Sequence, residues 1–467
     1  MLTLKIALRY LLRRKIRMGM IGLLVTIGTM VIVLGETFSL SAKIFSRQSI
    51  IDYFTGDCIL YSSRSKEKPS PFAFTTPLPV ISGAGKLITW LEKNPRVDRE
   101  VAITQNYGLF SIEKNGKKTE MPFIFYAVDP KKYRSTFPNI AMVGGAFFTT
   151  DGGPAAGVVL SRFQVENYSK NYSVDCKVGD RVTLLSLTEG GSVNAYPSRI
   201  IGVYDPKRYK NVFNYINFLD IDSYSRLYNF TGVDSSSLPE SFNAALATGS
   251  DDEIFGLAGR KNFEGLETGK LVPAELSGYT MIAVKLKRHS DVDTLASELA
   301  REGFEVKTAS WKEASGFFAG VADIIQSVIY GATFLIFIIV VFILMNTLII
   351  SVLERTSEVG TLRALGGEKT LIASIFLWEA LLLNGTAVLV GMIASAIVIL
   401  AVTSAGGLPL PAIMAQYLVG GGELSLTLSL RPFIEALGTV LIVSLCATLY
   451  PISVAGAITP LKAMSLK

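Results

Sequence analysis

Four stretches of this sequence run without charge for longer than a soluble helix tolerates, and they decide most of what the chain can become. The first lies between Arg17 and Glu36 and continues to about Leu40; the second lies between Asp323 and Glu354. The third runs from about Thr370 to Thr403, interrupted by Glu379, and the fourth lies between Glu435 and Lys462, with Pro451 near its far end. A bilayer core needs about 20 helical residues, so each stretch reads as a membrane span. The chain is 49% apolar and only 18% charged, whereas soluble domains carry roughly 25% charge. The spans account for the deficit. A cleaved signal peptide is the alternative for the first stretch, but such a peptide has an apolar run of only about 7–15 residues, and three more spans follow. The expected fold class is a polytopic α-helical membrane protein with four transmembrane helices and a large α+β extracytoplasmic domain between helices 1 and 2.

The charge distribution orients this topology. The 45 Lys and Arg exceed the 39 Asp and Glu by a net +6. That excess sits in Lys5, Arg9, Arg13, Arg14, Lys15 and Arg17, all ahead of the first acid, Glu36. Basic residues flanking a first span stay cytoplasmic. The expected organisation is therefore a cytoplasmic basic N-terminus at 1–17, spans at 18–42, 321–353, 370–403 and 432–458, and a cytoplasmic tail at 459–467. Residues 43–320 and the Gly/Pro-rich loop at 404–431 lie outside, and 354–369 lies inside. Both termini are cytoplasmic in a multi-pass protein of the cytoplasmic (inner) membrane. A charge excess confined to one terminus is not the spread basic face of a nucleic-acid binder.

Within 43–320, strands are expected at 57–61, 199–204, 280–286 and 303–307, with helices at 84–94 and 291–302. The last of these helices places Val292, Leu295, Leu299 and Ala300 on one face. Two strand–helix–strand units, at about 57–105 and 280–307, point to a split α+β domain carrying an all-β, β-rich insertion at about 150–230. Catalytic chemistry has little to work with. His289 stands in an exposed charged stretch, and the three cysteines lack metal or redox spacing. A Cys58–Cys176 disulfide stays open should both face an oxidising compartment. Gly83-Ala84-Gly85-Lys86-Leu87 fails as a phosphate loop because Val80 and Leu87 stand where glycine and Ser/Thr are needed. Gly366-Gly367-Glu368-Lys369-Thr370 fails because Glu368 precedes the lysine. No catalytic, cofactor-binding or metal-ligating residues are expected.

The second span runs on into a segment in which Glu354, Arg355, Glu358 and Arg363 interleave with Val359, Leu362 and Leu365 at helical spacing. This reads as a short amphipathic helix on the inner surface. Gly366-Gly367 forms its stop. Asn346 reads as glue between helices. Glu379 serves either between helices or at the interface, since a mid-span charge costs about 2.5–3.5 kcal/mol. Gly385 and Gly391 read as sites of close helix packing.

Met345-Asn346-Thr347-Leu348 followed by Glu354-Arg355-Thr356-Ser357-Glu358-Val359-Gly360 and Leu362-Arg363-Ala364-Leu365-Gly366 resembles the signature of the FtsX-like permease family, with its MacB-type and LolC/LolE-type members. The opening Ala7-Leu8-Arg9-Tyr10-Leu11-Leu12-Arg13-Arg14-Lys15 is similar to the family's opening. So is the ending from Tyr450-Pro451 through Thr459-Pro460-Leu461-Lys462-Ala463-Met464, although Val454 and Gly456 replace common basic residues. Thr55-Gly56-Asp57 and Val178-Gly179-Asp180 resemble landmarks of the outer domain.

The resemblance implies the permease subunit of an ABC transporter, not itself an enzyme. It implies coupling of ATP and Mg use by two copies of a separate ABC ATPase to motion of the outer domain. The coupling-helix residues would be Glu354, Arg355, Glu358, Val359, Leu362, Arg363, Leu365 and Gly366. Expected partners are a second permease copy or paralogue, a periplasmic carrier or adaptor, and membrane lipids, with no nucleic acid. The expected cargo is lipoprotein or another amphipathic substrate. The alternatives are MacB-like efflux of peptides or small molecules and FtsX-like signalling to a cell-wall hydrolase. A continuous helix from about Trp311 to Ser357, roughly 70 Å at 1.5 Å per residue, would serve as a stalk carrying the stroke.

Overall fold

A computed structural model describes residues 15–70, 78–114, 116–150, 153–154, 156–187, 193–228, 231–233, 273–275 and 278–457. The basic residues before Lys15 and the landmark from Thr459 onward fall outside the described residues. The chain forms two compact units, one of residues 1–46 and 320–467 and one of residues 47–319. Among the described residues four helices are long and apolar enough to cross a membrane, and a mixed α/β unit lies in the sequence between the first and second.

In the 47–319 unit a ten-stranded sheet is built from β1 (Cys58–Ser62), β2 (Val97–Lys114), β3 (Lys117–Val128), β4 (Ile140–Gly145), β5 (Val158–Ser161), β6 (Arg181–Leu187), β7 (Val193–Pro206), β8 (Asn217–Asp220), β9 (Met281–Leu286) and β10 (Val306–Ser310). Its order is β10-β1-β9-β2-β3-β8-β5-β7-β4, with β6 bridging β2 and β7. Its helices include α2 (Ala84–Lys93), α3 (Arg162–Tyr172), α4 (Ile221–Tyr228), α5 (Val292–Arg301) and α6 (Trp311–Ala314), besides single turns at Tyr133–Thr136 and Lys210–Phe213. The units β1-α2-β2 and β9-α5-β10 interleave in the order β10-β1-β9-β2, the split βαβ arrangement of a ferredoxin-like fold. Strand alternation sets its two faces. Cys58, Leu60, Ala102, Ile282 and Val284 face Leu87 and Leu91 of α2 and Leu295 and Leu299 of α5. Ile59, Tyr61, Val101, Ile103 and Ala283 face an opposite core holding Phe54, Tyr209, Phe213 and Phe318.

Several sequence expectations need correction here. The 150–230 region is not all-β. It carries α3, whose Ser161 hydroxyl accepts from the Gln164 amide, and α4, and its longer strands join the common sheet. The strand expected from Gly303 starts at Val306, because Gly303 (φ +78°) and Phe304, bonded back to Leu299, still close α5. Ala300 is exposed rather than on the buried face. Cys58 and Cys176 are both free and sit in separate core clusters, so the disulfide is not formed. Burial pushes the Cys58 thiol up to about 12, with Asp57 adding to it, and burial pushes Cys176 up to about 11 despite the opposing charge of Lys114. His289 is half-exposed, but its Nδ1 pairs with the buried carboxylate of Asp57.

The structure gives the two Gly-Asp landmarks a physical role. Gly56 is left-handed (φ +69°), and a Cβ there would sit 2.6 Å from the Val284 carbonyl. Asp57 then accepts from the Leu286 amide at 2.8 Å, while its own carbonyl accepts from the Trp311 amide. One residue thus ties together β1, β9 and the start of α6. Gly179 (φ +98°) turns the chain so that Asp180 can accept from the Lys177 amide and pair with Lys114 at 2.8 Å.

In the other unit the spans are α1 (Lys15–Ile50, whose last turn belongs to the first unit described), α7 (Phe317–Glu354), α9 (Lys369–Ser404) and α11 (Leu430–Ala457), with short helices α8 (Thr356–Ala364) and α10 (Ala412–Val419). Gly391 packs α9 hard against α1: a Cβ there would lie 2.8 Å from the Thr29 Cβ. Gly385 has no such neighbour. The continuous Trp311–Ser357 stalk does not form. The helix stops at Ala314, Gly316 is left-handed (φ +56°), and α7 ends at Glu354 because Arg355 leaves helical geometry (φ −108°, ψ 18°).

Candidate functional site

The break at Arg355 organises the most specific sequence motif. Arg355 bonds its amide back to the Val352 carbonyl, and the Thr356 hydroxyl bonds to that of Leu353, so α7 closes and α8 starts in a new direction within one residue. At that elbow the Arg355 side chain turns inward. Its Nη1 and Nη2 donate to Glu379 Oε2 and Oε1 at 2.9 and 3.0 Å. The two side chains are 6% and 1% exposed. A bidentate Arg–carboxylate pair fixes both distance and orientation, and in an apolar surround it is what makes Glu379 tolerable. Glu379 therefore pairs between elements, joining α9 to the elbow. Sequence reasoning placed Arg355 on the exposed coupling surface and missed this pairing; the unusual Glu379 inside an apolar run was the available signal.

Apolar packing completes the elbow. Val359 of α8 joins Val352 of α7, Ile372 and Phe376 of α9 and Ala455 of α11 in one buried cluster. Leu362 and Arg363 are half-buried, whereas Glu354, Glu358, Leu365 and Gly366 are exposed. Leu365 stands out, at 81% exposure for a large apolar side chain. The turn after it is tight. Gly366 is left-handed (φ +88°), and the Gly367 amide donates to the Leu362 carbonyl, which a Cβ on Gly367 would approach to 2.8 Å. Thus α8 is a short helix anchored on one side and open on the other, with exposed acids and an exposed leucine.

Of the other polar residue expected in the spans, Asn346 lies on the exposed face of α7, and among the described residues its amide makes no hydrogen bond. It does not act as glue within this chain. Residues that do so include Asn384, whose Nδ2 donates to Ser444 Oγ of α11 at 2.6 Å, and Thr26 of α1, whose hydroxyl donates to the Ala387 carbonyl of α9 at 3.1 Å; neither is picked out by the sequence. Nothing here resembles an acid–base or nucleophilic constellation. Among the described residues no group of three or more His, Cys, Asp or Glu is placed to hold a metal. What the site does show is a fixed attachment: α8 is joined to α9 through the ion pair and to α7 through the elbow.

Comparison with known proteins gives two kinds of result. Residues 330–460, which include α8, the elbow and most of the last three spans, match the family described as FtsX-like permease C-terminal. Two solved structures align with little more than half of the chain. One is the periplasmic region of MacB from Actinobacillus actinomycetemcomitans, at 10% identity and TM-score 0.29, covering 55% of this chain and 88% of that one. The other is the extracellular domain of the noncanonic ABC-type transporter YknZ from Gram-positive bacteria, at 11% identity and TM-score 0.28, covering 54% and 99%.

Proposed function

We propose that this chain, whose residues 330–460 match the FtsX-like permease C-terminal family, is the permease subunit of an ABC transporter and receives its stroke at α8. The observation that carries the reading is the combination of an open outer face on α8 with a rigid inner attachment. Glu354, Glu358 and Leu365 are presented to a partner, while Arg355 and Val359 are locked to the neighbouring spans. ATP and Mg are used by the partner ATPase, present in two copies. With α8 and the basic N-terminus cytoplasmic, the 47–319 unit lies outside the inner membrane and acts on cargo. Four spans enclose no wide pore, which favours extraction of lipoprotein or another amphipathic substrate over conduction.

A second permease copy or paralogue is supported by α7, the least buried span. Ile324, Val328, Leu335, Ile339, Phe342, Asn346 and Leu353 recur at helical spacing along its exposed face. A polar amide facing lipid is costly, and a facing helix resolves that cost.

The test is mild-detergent purification of the full chain from native membranes, with mass spectrometry of what accompanies it. An ATP-binding-cassette ATPase is expected with the wild type and is lost with Leu365→Arg. Its absence from the wild-type preparation overturns the reading. Depletion of the chain then separates the cargoes. Lipoproteins retained in the inner membrane support extraction, and unchanged lipoprotein sorting with altered cell-wall hydrolysis replaces it with signalling.

A further inference from the structure

Strands β2, β6 and β7 run side by side where β6 bridges the other two, and their register stacks residues in rungs. Leu109 stands opposite Leu185, and Leu185 opposite Ala195. Ser111, Thr183 and Pro197 form the next rung, and Arg181 stands opposite Arg199 in the one after. Alternate residues of a strand share a face, so these rungs make one surface, continued past Leu109 and Ala195 by Tyr107 and Val193. The intervening Phe110, Ile112, Val182 and Leu184 point the other way, into a buried core. The rung surface is open. Tyr107, Leu109 and Val193 are large apolar side chains left exposed, and Ala195, Arg181 and Arg199 are exposed beside them. One end of the face is apolar and the other is cationic.

The cationic end carries a repulsion. Like charges directly opposite in adjacent strands are destabilising, and among the described residues neither arginine makes an ion pair or a side-chain hydrogen bond. Both line an open cavity of about 730 Å³, within the range of small-molecule sites. The other charges in its lining are Lys118 and Glu113. The register of β2 and β3 sets these two opposite each other, and Lys118 also pairs with Glu120 at 3.3 Å. The two arginines are therefore the uncompensated charge of the cavity, and their exposure leaves the guanidinium groups within reach of a ligand. Ser111 and Thr183 add hydroxyl-bearing side chains to the same wall.

We propose that this face binds an anionic amphiphile, with a phosphate head between Arg181 and Arg199 and an acyl chain along Leu185, Leu109 and Tyr107. Guanidinium forks match phosphate oxygens in pairs, which selects the head. The exposed apolar strip selects the tail, since such a strip marks a surface that is covered in use. Four residues separate Arg181 from Leu185, about 13 Å along a strand, a span that an acyl chain bridges and a free phosphate does not. The site deepens the reading of an amphipathic cargo and rests on it for its biological role. Binding is measured without the ATPase, so failure here leaves the partner test standing, and failure of the partner test leaves the binding result intact.

Arginine footprinting of the full chain in lipid nanodiscs tests the site. Hydroxyphenylglyoxal modifies accessible guanidinium groups, and peptide mass spectrometry reads each arginine separately. Decyl phosphate should slow modification of Arg181 and Arg199 several-fold while leaving Arg301, an exposed arginine of α5, unchanged. Inorganic phosphate and decyl maltoside at the same concentration each carry half of the recognised chemistry and should protect far less. Leu109→Thr combined with Leu185→Thr should reduce the decyl phosphate effect to that of inorganic phosphate. No slowing at Arg181 and Arg199, or equal slowing at Arg301, overturns the site. Equal protection by inorganic phosphate or by decyl maltoside overturns the amphiphile, as does protection undiminished in the double leucine variant.

Discussion

Arg355 does two things at once: it ends α7, and it neutralises a carboxylate inside the membrane. The second role predicts an asymmetry between single and double substitutions. Breaking a buried pair by removing one partner costs about 3–5 kcal/mol, whereas replacing both with apolar groups of similar volume is often neutral. Arg355→Met should therefore lower the thermal unfolding midpoint in nanodiscs sharply, and Arg355→Met combined with Glu379→Leu should recover most of the loss. A double variant as unstable as the single one would mean that the arginine acts through the elbow alone. The residue types were legible in the sequence, as a motif arginine and a lone acid in an apolar run. Their partnership was not, because it joins positions 24 apart across two turns of the chain, where no helical or strand periodicity applies. Asn346 shows the converse. An intramembrane amide was plain to read, but which way it faces depends on the rotation of α7, set by packing that periodicity leaves free in a helix apolar all round.

At the scale of elements, the boundaries hold most of the new information. The sequence reading extended one helix through Gly316 and Arg355 because neither residue interrupts the apolar pattern, yet the left-handed backbone at Gly316 and the cap geometry at Arg355 end it. The start of α6 is fixed by a capping box in which the Ser310 hydroxyl accepts from the Glu313 amide and the Glu313 carboxylate accepts from the Ser310 amide. The hydrogen bond from Lys68, followed by that from the Ser310 amide, holds the Glu313 carboxyl below its ordinary range. A depressed folded value means that the contact contributes fully above the ordinary glutamate range and is lost as pH falls through the depressed value. Amide exchange at Trp311–Ala314 should therefore stay slow as pH is lowered to the ordinary glutamate range and accelerate below it, after correction for the intrinsic rate. Glu313→Gln should remove the step. A step of the same size in Glu313→Gln would assign the pH dependence elsewhere.

For the whole molecule, four spans and an inserted α/β unit were legible because length and apolarity suffice to mark a helix that crosses a bilayer. The interleaved βαβ halves were legible from alternation at 57–105 and 280–307. The ten-stranded sheet between them was not, since pairings such as β8 with β3 and β5 with β7 join strands far apart in sequence. The proposed second copy against α7 would give Asn346 a role at the level of assembly. A cysteine at Asn346 or Phe342, in a background where Cys446 is replaced by serine, should form a disulfide-linked dimer of full chains under mild oxidation, while one at Leu389 on α9 should not. Equal cross-linking at all three positions would reflect random collision and remove α7 as the interface of a homodimer.

The aromatic cluster of the 47–319 unit has a consequence of another kind. Phe54, just after the chain enters the unit, meets Phe318, just before it leaves, at 6.0 Å between ring centroids, and both pack on Tyr209. Entry and exit are thus adjacent in space although far apart in sequence, so the unit is an insertion whose two ends meet. A different unit can therefore be carried between the same two spans, provided that it too brings its ends together, as the Phe54, Tyr209 and Phe318 rings do here.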